Sequence, residues 1–144
     1  MDLLKLVALD EQDLNIVSAH VQDAIIRTGD LRFMPHERRF VVPMNRFAWE
    51  TQKGFFKPTP QRRNSVLHFE RVVSAKSAGL AKDKPEEVLE LLAVRFYAAD
   101  LPGGELELDF AGGATIRLTV ECIEARLADL GGAWEAASRP KHPI

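Results

Sequence analysis

The stretch Glu105-Leu106-Glu107-Leu108-Asp109-Phe110 alternates acidic and apolar residues without a break, and Thr115-Ile116-Arg117-Leu118-Thr119-Val120 follows it across Gly112-Gly113. Side chains of a strand point alternately to its two faces, so this pattern predicts a hairpin with one buried face. The loop length decides its register. A two-residue loop sets Leu108 opposite Arg117 and mixes the faces. A three-residue connection, Ala111 to Gly113, sets Leu108 opposite Ile116, Leu106 opposite Leu118 and Glu107 opposite Arg117. Only the second respects the pattern.

Working outward, Leu3 to Leu9 is an apolar run of strand length, and Asp10 is a helix N-cap with Glu11 and Asp13 behind it. Leu14, Val17 and Val21 then predict an amphipathic helix over 11–22. Strands are expected in Ile25–Met34 and Glu37–Glu50, with Pro35-His36 as the turn. In the second of these, Phe40, Val42 and Met44 share one parity while Phe47 and Trp49 have the other. That switch predicts a bent strand, with the bend at Pro43-Met44-Asn45. Further strands are expected over Asn64–Ser74, with Leu67, Phe69 and Val73 on one face, and over Val88–Ala98, with Leu92, Val94 and Phe96 sharing a face. Residues 51–63 and 75–87 read as polar connections broken by proline and glycine. Near the C-terminus, Ile123, Leu127 and Leu130 fall at i, i+4 and i+7 before Gly131-Gly132, which predicts a helix.

The connections between the later strands are too short for parallel crossover units. The expected fold is therefore α+β: a mainly antiparallel curved sheet or partly open barrel, of pleckstrin-homology-like layout, with an N-terminal helix and a C-terminal capping helix. Residues 1–137 read as a single domain and 138–144 as a mobile tail.

Composition narrows the class further. The chain has 144 residues, 46% hydrophobic and 28% charged, as an ordinary globular domain does. It contains no apolar run of about 18 residues, and its Met1-Asp2 opening lacks the basic start of a signal peptide. A soluble, cytoplasmic protein is expected, without membrane insertion. One cysteine, Cys122, excludes an intramolecular disulfide and a multi-cysteine metal site. The net charge of −2 is segregated, with −4 in residues 1–24, +7 in 25–76 and −5 in 77–144. Either the middle forms a positive face, or the segments neutralise one another in the fold.

Residues that could carry chemistry are few. His20, His36, His68 and His142 lack metal-site spacing, and no phosphate-binding or nucleophile motif occurs. Cys122 reads as a small buried filler. Glu105, Glu107 and Asp109 could invite a cation, but a solvated strand face opposite Arg117 explains them more simply. His68 and Glu70 share a strand face and could form an acid–base pair. The least ordinary feature is the basic, aromatic middle: Arg38, Arg39 and Arg46, then Lys53, Phe55, Phe56, Lys57, Arg62 and Arg63. Arginine beside exposed aromatic rings suits phosphate contact, base stacking or a protein hot spot. The leading expectation is a non-catalytic binding or adaptor domain that engages an acidic protein or nucleic acid through these nine residues. No catalytic residue, metal or cofactor is assigned. The alternatives are a small enzyme using His68 and Glu70, or a homodimer joined along a sheet edge.

Several strings together resemble a known family. They are Arg39-Phe40 to Pro43, Asn45-Arg46-Phe47-Ala48-Trp49-Glu50, the Val120-Glu121-Cys122-Ile123 junction, and Asp129-Leu130-Gly131 with Trp134. The family comprises short, uncharacterised alphaproteobacterial proteins classed as a domain of unknown function. The resemblance spans nearly the whole chain and implies a bacterial, cytoplasmic, stand-alone domain. It brings no activity, cofactor or site residue with it.

Overall fold

A computed structural model describes residues 3–48, 61–81 and 83–131. In chain order these form β1 (Lys5–Ala8), α1 (Glu11–His20), β2 (Ile25–Arg27), a 3₁₀ turn (Thr28–Asp30), β3 (Arg32–Met34), β4 (Arg39–Phe47), β5 (Arg62–Phe69), β6 (Val72–Ala78), β7 (Val88–Ala98), β8 (Gly104–Phe110), β9 (Thr115–Val120) and β10 (Ala125–Asp129). The strands make one antiparallel sheet in the order β1-β10-β5-β4-β2-β7-β8-β9-β6, and β3 pairs with β4 beside that path.

The alternating hairpin folds as its pattern requires. Leu108 faces Ile116, Leu106 faces Leu118, and Glu107 faces Arg117. Gly112 and Gly113 turn the chain at φ of 88° and 98°, a region that side chains with a Cβ rarely adopt. At the N-terminus, the Asp10 carboxylate accepts from the Asp13 N–H at 2.8 Å, capping α1. Leu14, Val17 and Val21 turn inward and cover β7. Ser18 Oγ accepts from the Val94 N–H at 2.9 Å, next to a register irregularity between Leu91 and Ala93.

That irregularity marks the true bend. Before it, β7 buries Leu89 and Leu91 and pairs with β2; after it, β7 buries Val94 and pairs with β8. Leu92 is therefore turned out to solvent, not onto the face of Val94. The bend expected in β4 is absent. Strand β4 alternates regularly, with Phe40, Val42, Met44, Arg46 and Ala48 all inward. The parity switch was only apparent, because the inward residue at position 46 is an arginine. Pro43 needs no bulge either. The Ala48 N–H faces β5, where it donates to the Gln61 carbonyl at 2.8 Å, so amides of odd-numbered residues face the other way. On that side Pro43 falls between the stretches paired with β3 and with β2, where no ladder donor is needed.

The expected C-terminal helix is a strand. Ile123, Ala125, Leu127 and Asp129 are buried at period two, and β10 pairs with both β1 and β5. A spacing of i, i+4 satisfies both a helix and a strand, and the buried carboxylate at 129 concealed the strand reading. The element covering the core is α1, and no C-terminal capping helix occurs among the described residues. Val72, not Val73, is the inward residue of β6, because the turn at Arg71 (φ 61°) resets the parity after β5. The tail 138–144 lies outside the described residues.

Both concealing residues meet in the core. Arg46 donates to Asp129 twice, Nε to Oδ1 and Nη2 to Oδ2, each at 2.9 Å, and neither side chain has any exposure. Ser65 Oγ donates to Oδ1 at 2.6 Å and the Leu4 N–H to Oδ2 at 3.0 Å. The cluster thus ties β4, β5 and β10 to the residue preceding β1. Burial pushes the Asp129 carboxyl up, but the hydrogen bonds from Arg46, Ser65 and Leu4 outweigh it and hold the group below its ordinary range.

Replacing Asp129 by Ala leaves the Arg46 guanidinium buried without its counter-ion, and urea denaturation should register a loss of about 3–5 kcal/mol at pH 7. Because the folded-state pKa is depressed, the contribution of Asp129 is complete above about pH 4 and fades as the pH falls through its lowered value. The gap between wild type and Asp129→Ala should therefore narrow in acid. The apolar double variant Arg46→Met/Asp129→Leu should recover most of the loss.

Candidate functional site

The arginines of the basic middle do not form one surface. Arg38 and Arg39 stand at one end of β4, and Arg62 pairs with Phe47 at the other, about 27 Å away along the strand. Arg38 bonds Glu121 at 2.6 Å and Arg39 bonds Glu70 at 2.8 Å. Arg46 is wholly buried, so its place is in the core and not on a binding face. Arg62 donates to the side chain and main-chain oxygen of Asn45 and to the Asp23 carbonyl. Arg63 shares the inward parity of Ser65 and sits beside Arg46 in the register. Lys53, Phe55, Phe56 and Lys57 lie outside the described residues.

The segregated charge resolves in part by pairing. Arg38–Glu121, Arg46–Asp129 and Arg71–Glu124 each join the basic middle to the acidic final third. Antiparallel pairing brings those distant segments side by side. The same neutralisation occurs within the β7-β8-β9 face, where Arg95 meets Asp109 at 2.8 Å and Arg117 meets Glu107 at 3.1 Å. A hydrogen bond that the protonated Glu107 carboxyl donates to Asp109 pushes the Glu107 pKa up. Among the described residues, no three histidines, cysteines or carboxylates converge as a metal site would need. Cys122 is free and half-buried.

His68 and Glu70 do meet, Nδ1 to Oε2, at 2.6 Å. The same oxygen accepts from Arg39, so the carboxylate is engaged twice. Burial acts to raise the Glu70 pKa, but the bonds from Arg39 and His68 prevail and hold it below the ordinary value. The depression beside it, about 240 Å³, is walled by the charged residues Glu37, Arg38, Arg71 and Glu124. This cluster lies on the outer face of β5, opposite the face that buries Leu67 and Phe69.

A larger concavity lies elsewhere. A cleft of about 650 Å³ opens between β3 and the start of β4 on one side and β6 on the other. The β3–β4 hairpin places Phe33 opposite Phe40, with ring centroids 6.5 Å apart and planes tilted by 41°. These rings and Ile116 of β9 make an apolar lining, extended by Leu31, Leu80 and Pro85. Pro85 is held in place because its carbonyl accepts from the Gly29 N–H at 2.8 Å. Lys76 is the sole charged residue among the described ones that line the cleft. Its volume is that of a small-ligand or peptide side-chain site, and its walls are apolar as such sites are. The sequence carried one usable signal for it, the placement of Phe33 and Phe40 on either side of the Pro35-His36 turn.

A mostly antiparallel sheet domain with one packed helix and an apolar cleft is thus the class of protein in hand. The chain belongs to the family described as protein of unknown function (DUF2948), whose model matches residues 4–142. No curated protein and no solved structure matches it. Among the described residues, no helix is long and apolar enough to cross a membrane.

The half-buried Glu70 cluster should behave as a weak stabiliser, because its partner Arg39 is open to solvent. Glu70→Gln should lower stability at pH 7 by no more than about 1 kcal/mol, since solvent screens the partner Arg39. With the Glu70 pKa depressed, that difference should hold above about pH 4.5 and vanish as the pH drops through the folded-state value. Thermal melts of both proteins from pH 3 to 7 measure it.

Proposed function

We propose that this chain is a non-catalytic binding domain whose recognition site is the apolar cleft between β3 and β6. The observation that carries this reading is the cleft lining: Leu31, Phe33, Phe40, Leu80 and Ile116 converge on one concavity of about 650 Å³. Such a surface gains by removing apolar area from water, at roughly 25 cal/mol per Å². No carboxylate or histidine lines it among the described residues, so it offers binding energy without a general acid or base. The His68–Glu70 pair faces away from it and is already engaged by Arg39.

An acidic partner held by the arginines has less support. Arg38 and Arg39 are committed to acids of this chain and Arg46 is buried. The Lys53–Lys57 segment falls outside the described residues.

Nile red, a neutral apolar dye, tests the reading. Titration into the folded protein should give saturable fluorescence at one dye per chain. Leu80 is half-buried, so Leu80→Arg should weaken dye affinity about tenfold, the worth of roughly one apolar side chain. Leu80 also packs against the core, so the melting temperature is measured alongside, and the affinity comparison is made where both proteins are folded. Dye binding that is absent, or indifferent to Leu80→Arg, would dismiss the cleft as the site.

A further inference from the structure

Three consecutive residues of β6, Ala75, Lys76 and Ser77, line the cleft. Consecutive strand side chains point to opposite faces, so a cavity touched by all three meets the strand along its edge. Strand β6 ends the sheet and pairs only with β9. On its other edge the Val72 N–H donates to the Arg38 carbonyl at 2.9 Å, at the very start of the strand. Beyond Val72, that edge has no backbone partner among the described residues. A row of amide and carbonyl groups without backbone partners among the described residues therefore borders an apolar concavity.

Charge gives the edge a preference. Lys76 lies directly opposite Arg117 in the β6–β9 register, a like-charge pairing that disfavours the strand face. Arg117 is answered by Glu107 at 3.1 Å. Among the described residues no carboxylate stands within ion-pair distance of Lys76. Ala75 and Ser77, turned the other way, face Leu118 and Ile116 and are too small to fill the space beside Phe33 and Phe40.

We propose that the open edge of β6 receives an extended segment of a partner protein as an added strand. Its alternate apolar side chains enter the cleft, and the acidic residues between them meet Lys76. This deepens the binding-domain reading and rests on it. Strand addition draws affinity from main-chain hydrogen bonds and specificity from pockets for alternate side chains, and both elements adjoin here. The edge is seven residues long and has no proline, and its irregularity lies at its start, between Val72 and Ser74, so residues 75–78 keep a regular ladder geometry.

A displayed library of random twelve-residue peptides, selected on the full chain, supplies the probe. Recovered peptides should alternate apolar with acidic residues and should slow amide exchange at 73–78 of β6. Lys76→Glu should weaken them about fivefold, the upper range for one cross-strand charge pair. Recovery of no peptide, or of peptides that protect β1 and leave β6 unchanged, would overturn strand addition. If the dye still binds in that case, the cleft reading survives alone; if neither binds, both readings fall.

Discussion

The Arg46–Asp129 pair is the constraint around which this sheet is arranged. Two charges without solvent exposure are costly to bury, and they persist here because the carboxylate accepts four hydrogen bonds, two from Arg46, one from Ser65 and one from the Leu4 amide. Arg46 reaches Asp129 across the intervening strand, and the residue beneath that reach is a serine, small enough to let it pass and polar enough to join the bond network. Apolar side chains of similar volume would stabilise the fold as well or better. What the pair supplies is register. A slip of one residue in β4 or β10 would turn a charge outward and leave its partner buried alone. The β1-β10-β5-β4 half of the sheet therefore has one permitted alignment.

The same two residues explain where the sequence was readable and where it was not. The β8–β9 hairpin could be aligned residue for residue because its inward face is wholly apolar and its polar face carries the charges. Pattern and burial agree there. In β4 and β10 the inward face includes an arginine and an aspartate. Each of those reads locally as an outward residue, so β4 seemed to change face and β10 seemed helical. The information that corrects both readings is their contact, across 83 residues of chain. Strand β7 fails in the opposite sense, since its apolar residues fill both parities and nothing local marks the irregularity after Leu91. That position is defined by α1, whose Ser18 hydroxyl takes up the Val94 amide.

The functional surface was harder still to read, for a related reason. A scan for chemistry favours residue types that can react or carry charge, and the basic middle stood out on that ground. Folding then matched several of those bases with acids remote in sequence: Arg38 with Glu121, Arg46 with Asp129, Arg71 with Glu124. Part of the local charge excess is thereby met within the fold. The cleft, by contrast, is assembled from β3, β4, β6, β9 and the connection before β7, each giving one or a few ordinary apolar side chains. No window of sequence contains it.

The two ends of the sheet differ in a way that follows from the ion pair. Strand β1 is a four-residue edge fastened at its start, where Leu4 and Asp129 exchange hydrogen bonds in both directions. Strand β6 is longer, and on the edge away from β9 its one backbone bond among the described residues is at Val72. Its small inward side chains cannot close the space before Phe33 and Phe40, and its outward lysine faces a like charge. A sheet free to close on itself would bury that edge. Here the charged cluster aligns β4 with β5, the irregularity in β7 separates its pairing with β2 from most of its pairing with β8, and β3 and β6 stand on opposite sides of a cleft. The cleft is the space those two strands leave between them.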